Sequence, residues 1–473
     1  PEDIDRSIPA KPIRWKLSHQ LWQVLGILIL FAIPYSCSIS TLYLVSGLLD
    51  SWGLAGTPLI VVMAGSFFTL QMCFLISFNK TLLPRLKPGI YPVASRFGVA
   101  KWLSDKLVEM SLFFLNPLYS TLYTPLWLRF LGAKVGPRAE ISTVSDIDPD
   151  LLTLDEECFV ADMAAVGPAG FYRGYFQIAE TYIGRRSFVG NAALVPANTR
   201  MENETLLGVC STPHSHFMAR GTSWLGSPAI YLPRREIMEM SDDVTYTPSK
   251  IQIVIRLIIE LFRVTIPPGL LIFATGVVLD FYESEYFADW GGEALLAYEM
   301  LLMLEALSLA LVVLIIKWLL IGRYRPRTEP NWSLFVRRTE FVTALYENIP
   351  VPLILDWLQG TPWISLVLRL FGVKIGRRVF LDSTFITEFD LVHIGDDCHV
   401  GFETSLQTHL FEDRVMKMST LRLEPLSGVG SHSVVLYDSM IEKGAEVTDF
   451  SLVMKGESIP EGSRWTGLPA RAN

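Results

Sequence analysis

The stretch from Val429 to Trp465 reads VGSHSVVLYDSMIEKGAEVTDFSLVMKGESIPEGSRW. Its apolar residues at Val429, Val435, Ile441, Val447, Val453, Ile459 and Trp465 recur every six positions. That step fits neither the 3.6-residue period of an α-helix nor the two-residue alternation of an ordinary strand. It is the hexapeptide repeat of a parallel β-helix. Each hexapeptide makes one flat face and three make one triangular coil, with the aliphatic residue pointing to the axis. The small or polar residue that follows it, often Gly, is expected to allow the tight corner. Ile375/Leu381 and Ile394/Val400/Leu406 keep the same step upstream. A second series, Ile183, Val189, Val195, Met201 and Leu207, lies in the first half of the chain.

The two series belong to a larger duplication. Shifting the chain by 240 positions aligns Arg129 with Arg369, Gly132 with Gly372, Lys134 with Lys374 and Gly136 with Gly376. The alignment continues without a gap through Arg138/Arg378, Asp150/Asp390, Leu151/Leu391, Cys158/Cys398, Val160/Val400 and Phe171/Phe411. Both halves close on the same signature, Trp224-x-Gly226-x-Pro228-Ala229 and Trp465-x-Gly467-x-Pro469-Ala470.

Between the repeats the composition changes. The 473 residues are 50% hydrophobic and only 19% charged, with a mean hydropathy of +0.35. This excludes a disordered chain, a coiled coil and an ordinary cytosolic enzyme. The deficit of charge is local. Leu21–Leu49 and Ser51–Asn79 carry no charged residue, and each exceeds the ~20 residues a helix needs to cross a bilayer. Two further apolar stretches, Ile251–Leu279 and Ala294–Ile321, carry a few charges: Arg256, Glu260 and Arg263, then Glu299, Glu305 and Lys317. The last is expected to span the bilayer or to lie in its interface. Glu299 and Glu305, if within the bilayer, are expected to pair with Arg256 or Arg263, because an unpaired intramembrane charge is costly.

Basic residues flank these stretches: Lys11, Arg14 and Lys16; Lys80, Arg85 and Lys87; Lys250; Arg323, Arg325 and Arg327. The intervening hairpin loops are acidic, with Asp50 in one and Asp280, Glu283, Glu285, Asp289 and Glu293 in the other. The positive-inside rule places the soluble segments on the cytoplasmic side. The expected fold class is mixed membrane α plus β, with two left-handed parallel β-helix domains alternating with transmembrane hairpins. The expected domains are 1–83 (N-terminal segment and first hairpin), 84–235 (first β-helix), 236–323 (second hairpin) and 324–473 (second β-helix). The chain begins at Pro1 and not Met, which suggests processing or, as the favoured expectation, the tail of a longer polypeptide.

A net charge of -8 gives no basic excess for nucleic acid. The five cysteines form no C-x-x-C pair and imply no disulfide framework. His393 and His399 fall on neighbouring faces of successive hexapeptides and do not converge, so no metal site is expected. His19 leads into the first apolar run, His214 and His216 lie in a loop, and His432 sits within a regular coil. His409 differs. It opens a break in the period, Gln407-Thr408-His409-Leu410-Phe411-Glu412-Asp413-Arg414-Val415-Met416-Lys417, after which the step resumes at Val429. The first domain breaks between Val166 and Ile183, with six fewer residues by this count.

Acyl transfer to an amine needs a base near the nucleophile, and imidazole suits neutral pH. His409-x-x-x-Asp413 resembles the H-x-x-x-D of condensation domains, so Asp413 or Glu412 is expected to orient or balance the imidazole. Glu388 and Asp390 are further catalytic candidates. Their counterparts Asp148 and Asp150 keep the carboxylates in both halves, which favours a structural role, whereas the counterpart of His409 is Ala169. The second domain is therefore expected to be catalytic and the first a non-catalytic copy. Arg414 and Lys417 are candidates for the phosphate of coenzyme A or phosphopantetheine.

Several strings carry a family resemblance. They are Thr387-Glu388-Phe389-Asp390-Leu391-Val392, the His409 segment above, Val453-Met454-Lys455-Gly456-Glu457 and the closing Trp465-x-Gly467-x-Pro469-Ala470. In the first half they are Phe188-Val189-Gly190-Asn191, Gly221-Thr222-Ser223-Trp224 and Leu232-Pro233-Arg234-Arg235. The chain resembles the C-terminal membrane region of nonribosomal peptide synthetase-like proteins of the ε-poly-L-lysine synthetase type. The resemblance implies adenylation and carrier domains upstream, absent here. It also implies an aminoacyl thioester on a phosphopantetheine arm as donor, with no tightly bound cofactor, and amide bonds made by tandem acyltransferase-like domains. A coenzyme A-dependent acyltransferase acting on a small amine or alcohol, and a non-catalytic membrane scaffold for synthetase modules, remain as alternatives. Assembly is open between internal pairing, a trimer and a homodimer.

Overall fold

The structure, a computed structural model, describes residues 14–233, 240–282 and 293–473. Lys11, Arg234, Arg235, Glu283, Glu285 and Asp289, used above for orientation and motifs, lie outside the described residues. The chain divides into two units, Pro1–Arg235 and Glu236–Asn473.

In the first unit, α1 (Leu17–Trp52) and α2 (Thr57–Leu82) are separated by a single turn at Gly53–Gly56. Ser40 Oγ donates to Gln71 Oε1 at 2.8 Å, which joins the two helices side by side. Leu21, Phe31, Tyr43, Leu70 and Phe74 are exposed, so the outer surface of the pair is a continuous apolar belt. In the second unit the corresponding helices are α5 (Lys250–Tyr282) and α6 (Glu293–Leu320). Three helical stretches, Leu17–Leu82, Asp242–Tyr282 and Glu293–Leu320, are long and apolar enough to cross a membrane. Between the two pairs, α3 (Arg96–Phe114) and α4 (Thr124–Leu131) complete the helical part of the first unit. After α6 come α7 (Leu334–Asn348) and α8 (Pro362–Phe371).

Among the described residues the pairing expected for Glu299 and Glu305 does not form. Arg256 bonds Glu260 on its own helix at 2.6 Å, one turn away. Arg337 of α7 bonds Glu260 at 3.4 Å and Glu340 at 2.7 Å, and Arg263 reaches Glu340 at 3.5 Å. These charges are buried among each other between α5 and α7, where mutual compensation is obligatory. Glu305 instead accepts a hydrogen bond from Thr275 Oγ1 at 2.9 Å, and Glu299 is exposed.

Each unit carries a prism of short parallel strands. In the second, Ile375, Ile394, Leu423, Ile441 and Ile459 stack on one face. Leu381, Val400, Val429, Val447 and Trp465 stack on the next. Leu406, Val435 and Val453 make the third. In the first unit the stacks are Val135, Leu154, Ile183, Met201 and Met218; Ile141, Val160, Val189, Leu207 and Trp224; and Val166 with Val195. Val400, Val429, Val435, Ile441, Val447, Val453 and Ile459 are all fully buried on the axis. Burying such a side chain stabilises by roughly 1.5–3 kcal/mol, so one aliphatic per face holds each coil.

The corners are made differently from the sequence expectation. The left-handed residue lies three positions past the axial one, not directly after it: His432, Asp438, Gly444, Phe450, Gly456 and Gly462. The Gly that follows the axial residue serves close packing between coils. A Cβ on Gly430 would lie 2.4 Å from the backbone nitrogen of Asp449 in the next coil, and one on Gly401 would lie 2.6 Å from that of Ser431.

The break in the period is also regular. It is a β-hairpin in both units. In the first, β2 (Gly170–Tyr172) and β3 (Tyr175–Ile178) pair antiparallel, and β1 (Gly89–Pro92) adds to β3. In the second, β5 (His409–Glu412) and β6 (Val415–Met418) pair, and β4 (Arg327–Pro330) adds to β6. The two-residue turn Asp413-Arg414 has positive φ at both positions, 47° and 62°, which matches the twist of the flanking strands. The period resumes at Leu423, not Val429, because Leu421–Leu423 stacks between Val392–Ile394 and Met440–Ile441. The two interruptions are therefore of equal length, Val166 to Ile183 matching Leu406 to Leu423.

Two glycines separate these explanations. Gly444 has φ +65° and open space around its missing Cβ, whereas Gly430 faces the neighbouring coil. Gly444→Ala is expected to cost about 1 kcal/mol of backbone strain. Gly430→Ala is expected to cost about 1–3 kcal/mol, because backbone must move. Thermal unfolding of the detergent-solubilised chain checks this; an equal or larger loss for Gly444→Ala contradicts the assignment.

Candidate active site

Glu388 closes a coil just before the one-turn helix Phe389–Leu391. Phe389 and Leu391 are both buried, and the Leu391 N–H donates to the Glu388 carbonyl at 2.9 Å. This turn carries the Glu388 side chain fully inside the protein. A buried carboxylate needs donors. One oxygen, Oε2, receives three: Thr387 Oγ1 at 2.8 Å, Thr408 Oγ1 at 2.6 Å and His409 Nδ1 at 2.8 Å. Burial raises the carboxyl pKa, but the positive imidazole, its hydrogen bond and those from Thr408 and Thr387 outweigh it, so Glu388 is held below the usual carboxylate value. An anion there fixes the imidazole tautomer: Nδ1 carries the hydrogen it donates, and Nε2 keeps its lone pair.

His409 is positioned by β5, whose first residue it is. It remains partly exposed, and the Phe411 ring lies edge-on to it with centroids 5.8 Å apart. The residue before it, Thr408, is fully buried and adds the second hydroxyl to Glu388. Thr387 and Thr408 were not singled out from the sequence. Their signal was adjacency: each sits one residue before a candidate.

The other candidates lie elsewhere. Asp390 accepts Lys317 Nζ at 2.9 Å and the Tyr324 N–H at 3.1 Å. Lys317 is fully buried on the last turn of α6, so Asp390 fastens that helix to the prism. The first unit repeats the device: Lys80, at the end of α2, meets Asp150 at 2.7 Å, and the Leu86 N–H donates to the same oxygen. Gly372 makes room, since a Cβ on it would lie 2.8 Å from Asp390 Oδ1.

Glu412 takes Lys417 Nζ at 2.9 Å and Lys455 Nζ at 2.5 Å. It balances two lysines rather than the imidazole. Asp413 sits in the hairpin turn, at the far end of β5 from His409. An extended strand advances about 3.3 Å per residue, so the H-x-x-x-D spacing separates these two side chains. The acid that meets His409 is Glu388, from the preceding coil. Arg414 is 2% exposed, its guanidinium over the Tyr246 ring and its carbonyl accepting from the Asn331 N–H. That burial does not suit a surface phosphate site.

The remaining histidines are dispersed. His393 and His399 lie on different faces of the prism, stacked with Lys374/Arg422 and with Phe380/Gly428. Burial, then the neighbouring Lys374 and Arg422, lower the His393 pKa. His432 bonds Glu403 and stacks on Phe450, and His214 stacks on Trp224. Among the described residues no group of His, Cys, Asp and Glu is spaced to hold a metal ion.

The first unit shows what the site looks like without its imidazole. Asp148, the counterpart of Glu388, is buried against Lys101 Nζ at 3.0 Å, and Lys101 also pairs with Asp105 at 2.6 Å. Burial raises the Asp148 pKa against the opposing pull of Lys101. Burial lowers that of Lys101, but the two aspartates outweigh it, and the net shift is upward. Ala169 stands where His409 would be, and the space beside it is a cavity of about 320 Å³.

No protein-family model matches the chain. The chain is 40% identical over 398 residues to a delta-poly-L-ornithine synthetase of Acinetobacter baumannii (strain AB307-0294). The match covers 83% of this chain and 30% of that protein's length. The chain is thus similar to this poly-ornithine synthetase, in keeping with the resemblance its motifs carry, and spans about a third of that protein's length. Among solved structures it overlaps a maltose O-acetyltransferase from Clostridium difficile 630, with 13% identity and a TM-score of 0.22 over 25% of this chain and 81% of that one. It also overlaps the N-acyltransferase AntD from Bacillus cereus, with 16% identity and a TM-score of 0.18 over 22% and 72%. These overlaps are small and say nothing of this chain's chemistry.

The site and the tether respond differently to substitution. An adjacent anion raises an imidazole pKa, so Glu388→Gln is expected to move the titration of His409 to lower pH. The pH dependence of its carbethoxylation by diethylpyrocarbonate measures this. Because the folded pKa of Glu388 is depressed, its stabilising contribution is present above the unfolded value and is lost as pH falls through the folded one. Lys317→Ala leaves a largely buried carboxylate unpaired and is expected to cost about 3–5 kcal/mol, with the His409 titration unmoved.

Proposed function

We propose that the chain is the amide-forming acyltransferase part of a membrane-bound synthetase. It joins a carrier-bound aminoacyl thioester to an amine at the His409–Glu388 pair of the second prism. The observation that carries this reading is the pair itself: a partly exposed imidazole whose Nδ1 is held by a buried, ionised carboxylate, present in one copy of a duplicated prism and replaced by a lysine–aspartate pair in the other. That arrangement is suited to a base.

In this mechanism Nε2 of His409 takes the proton from the amine as the amine nitrogen attacks the thioester carbonyl carbon. Glu388 keeps the imidazole oriented and stabilises it while it is charged. The tetrahedral adduct collapses, the C–S bond breaks, and the departing thiolate takes the proton back from Nε2–H. The products are an amide and a free thiol. The name of the poly-ornithine relative supports an amino acid with a second amine as the unit joined. Adenylation and carrier domains, whose phosphopantetheine arm would deliver the thioester, belong to the rest of such a protein.

Both prisms are read as left-handed β-helices, and the helical pairs as bilayer spans with the prisms on the cytoplasmic side. The exposed apolar belts support the spans. Arg85, Lys87, Arg323 and Arg325 support the orientation, while Lys80 and Lys317 are engaged internally by carboxylates.

Removing a general base typically costs about 10²–10⁴-fold. His409→Ala is therefore expected to lower amide formation from an aminoacyl thioester by about that factor, with unfolding temperature kept. Unchanged turnover contradicts the assignment.

A further inference from the structure

Within the first unit, α1 and α3 enclose a groove of about 540 Å³ that shares no lining residue with the cavity beside Ala169. Its two walls run in step. A Cβ on Gly26 of α1 would lie 2.8 Å from the Trp102 side chain of α3, so the helices meet closely there. One turn further along each, Leu30 and Lys106 line the groove, and Phe113 lines it further on. Antiparallel pairing of α1 with α2 through Ser40 and Gln71 puts Lys80 near the level of Leu30. Lys80 is bonded to Asp150 of the prism, so this is the level at which the helical pair leaves the prism. The groove therefore opens at the prism end of the pair and runs into the apolar belt. Lys106 and Glu109 stand at its mouth, and Met110 and Phe113 lie deeper.

The chemistry of the groove is graded in the same direction. Phe31 and Phe113 leave large apolar surfaces exposed on its two walls. At the mouth, Lys106 Nζ bonds Glu109 Oε2 at 2.5 Å, and both side chains are exposed. An ammonium has three donors and a carboxylate several acceptor sites, so this pair keeps bonding capacity of both signs. Pro34, inside α1, has no N–H to give the Leu30 carbonyl one turn before it, and both residues line the groove. That carbonyl calls for a donor from outside the helix, the more so where lipid replaces water. A cation, an anion and an open acceptor thus stand together at the head of an apolar trough.

We propose that this groove binds one phospholipid with an ethanolamine headgroup. Lys106 takes the phosphate, Glu109 and the Leu30 carbonyl take the ammonium, and an acyl chain lies along Phe31, Met110 and Phe113. The proposal rests on the reading of the helical pairs as bilayer spans given above. The selection is made at the mouth, because the trough accepts any acyl chain. A choline headgroup has no N–H to donate, and a glycerol headgroup offers Glu109 no cation.

The test is native mass spectrometry of the full chain in detergent. The chain is titrated with phosphatidylethanolamine, phosphatidylcholine or phosphatidylglycerol of identical acyl chains. Phosphatidylethanolamine is expected to half-fill a single site at a concentration about threefold lower than either of the others. The double variant Lys106→Gln, Glu109→Gln changes only exposed side chains and is expected to bind the three lipids alike. A phosphatidylethanolamine carrying a photoreactive acyl chain is expected to label the peptide that contains Met110 and Phe113. Equal binding of the three lipids by the wild type, a preference that survives in the double variant, or labelling that misses this peptide overturns the proposal. Whether the helical pairs span the bilayer is judged separately, by resistance of the chain to alkaline extraction from membranes. A chain that resists extraction and shows no headgroup preference keeps that reading and ends this one.

Discussion

Everything at the site depends on one carboxylate oxygen. Glu388 Oε2 is buried and collects Thr387, Thr408 and His409. An ionised group without solvent is tolerated only when its neighbours supply the lost hydration. The same problem arises at Asp148 in the first unit and is solved there by Lys101. The two solutions differ in consequence. A lysine neutralises the acid and ends the matter, while an imidazole passes the constraint on to its second nitrogen. Duplication kept the buried acid and changed what faces it.

The tether two residues away belongs to the same turn. Asp390 and Glu388 flank Phe389, one bonded to the end of α6 and the other to His409. Phe389 itself packs against Tyr324, Tyr346 and Phe371. The anchor of α6 and the carboxylate that orients the base are therefore set by one buried turn. The conserved pairing in kind of Asp390 with Lys317 and Asp150 with Lys80 shows that this attachment is part of the repeated unit.

Much of this was legible in the sequence. A six-residue period with aliphatic residues on the axis has few physical solutions, and the duplication exposed His409 by difference from Ala169. What the sequence hid follows from geometry. The glycine after the axial residue looked like a corner residue, because close approach between coils leaves no local signature. The hairpin looked like a loop, because its strands are short and its turn is Asp-Arg rather than Asn-Gly. Glu388 and His409 lie in different coils, and nothing in their spacing reports that stacking brings them together. The H-x-x-x-D spacing misdirected attention to Asp413, since an extended strand separates residues that a helical turn would join.

The most direct measurement is the tautomer of His409, read from the 15N chemical shifts of selectively labelled imidazole at neutral pH. The account predicts the Nδ1–H form, with Nε2 unprotonated and the shift pattern lost in Glu388→Gln. A dominant Nε2–H form in the wild-type chain contradicts it, because the nitrogen assigned to take the proton would already carry one.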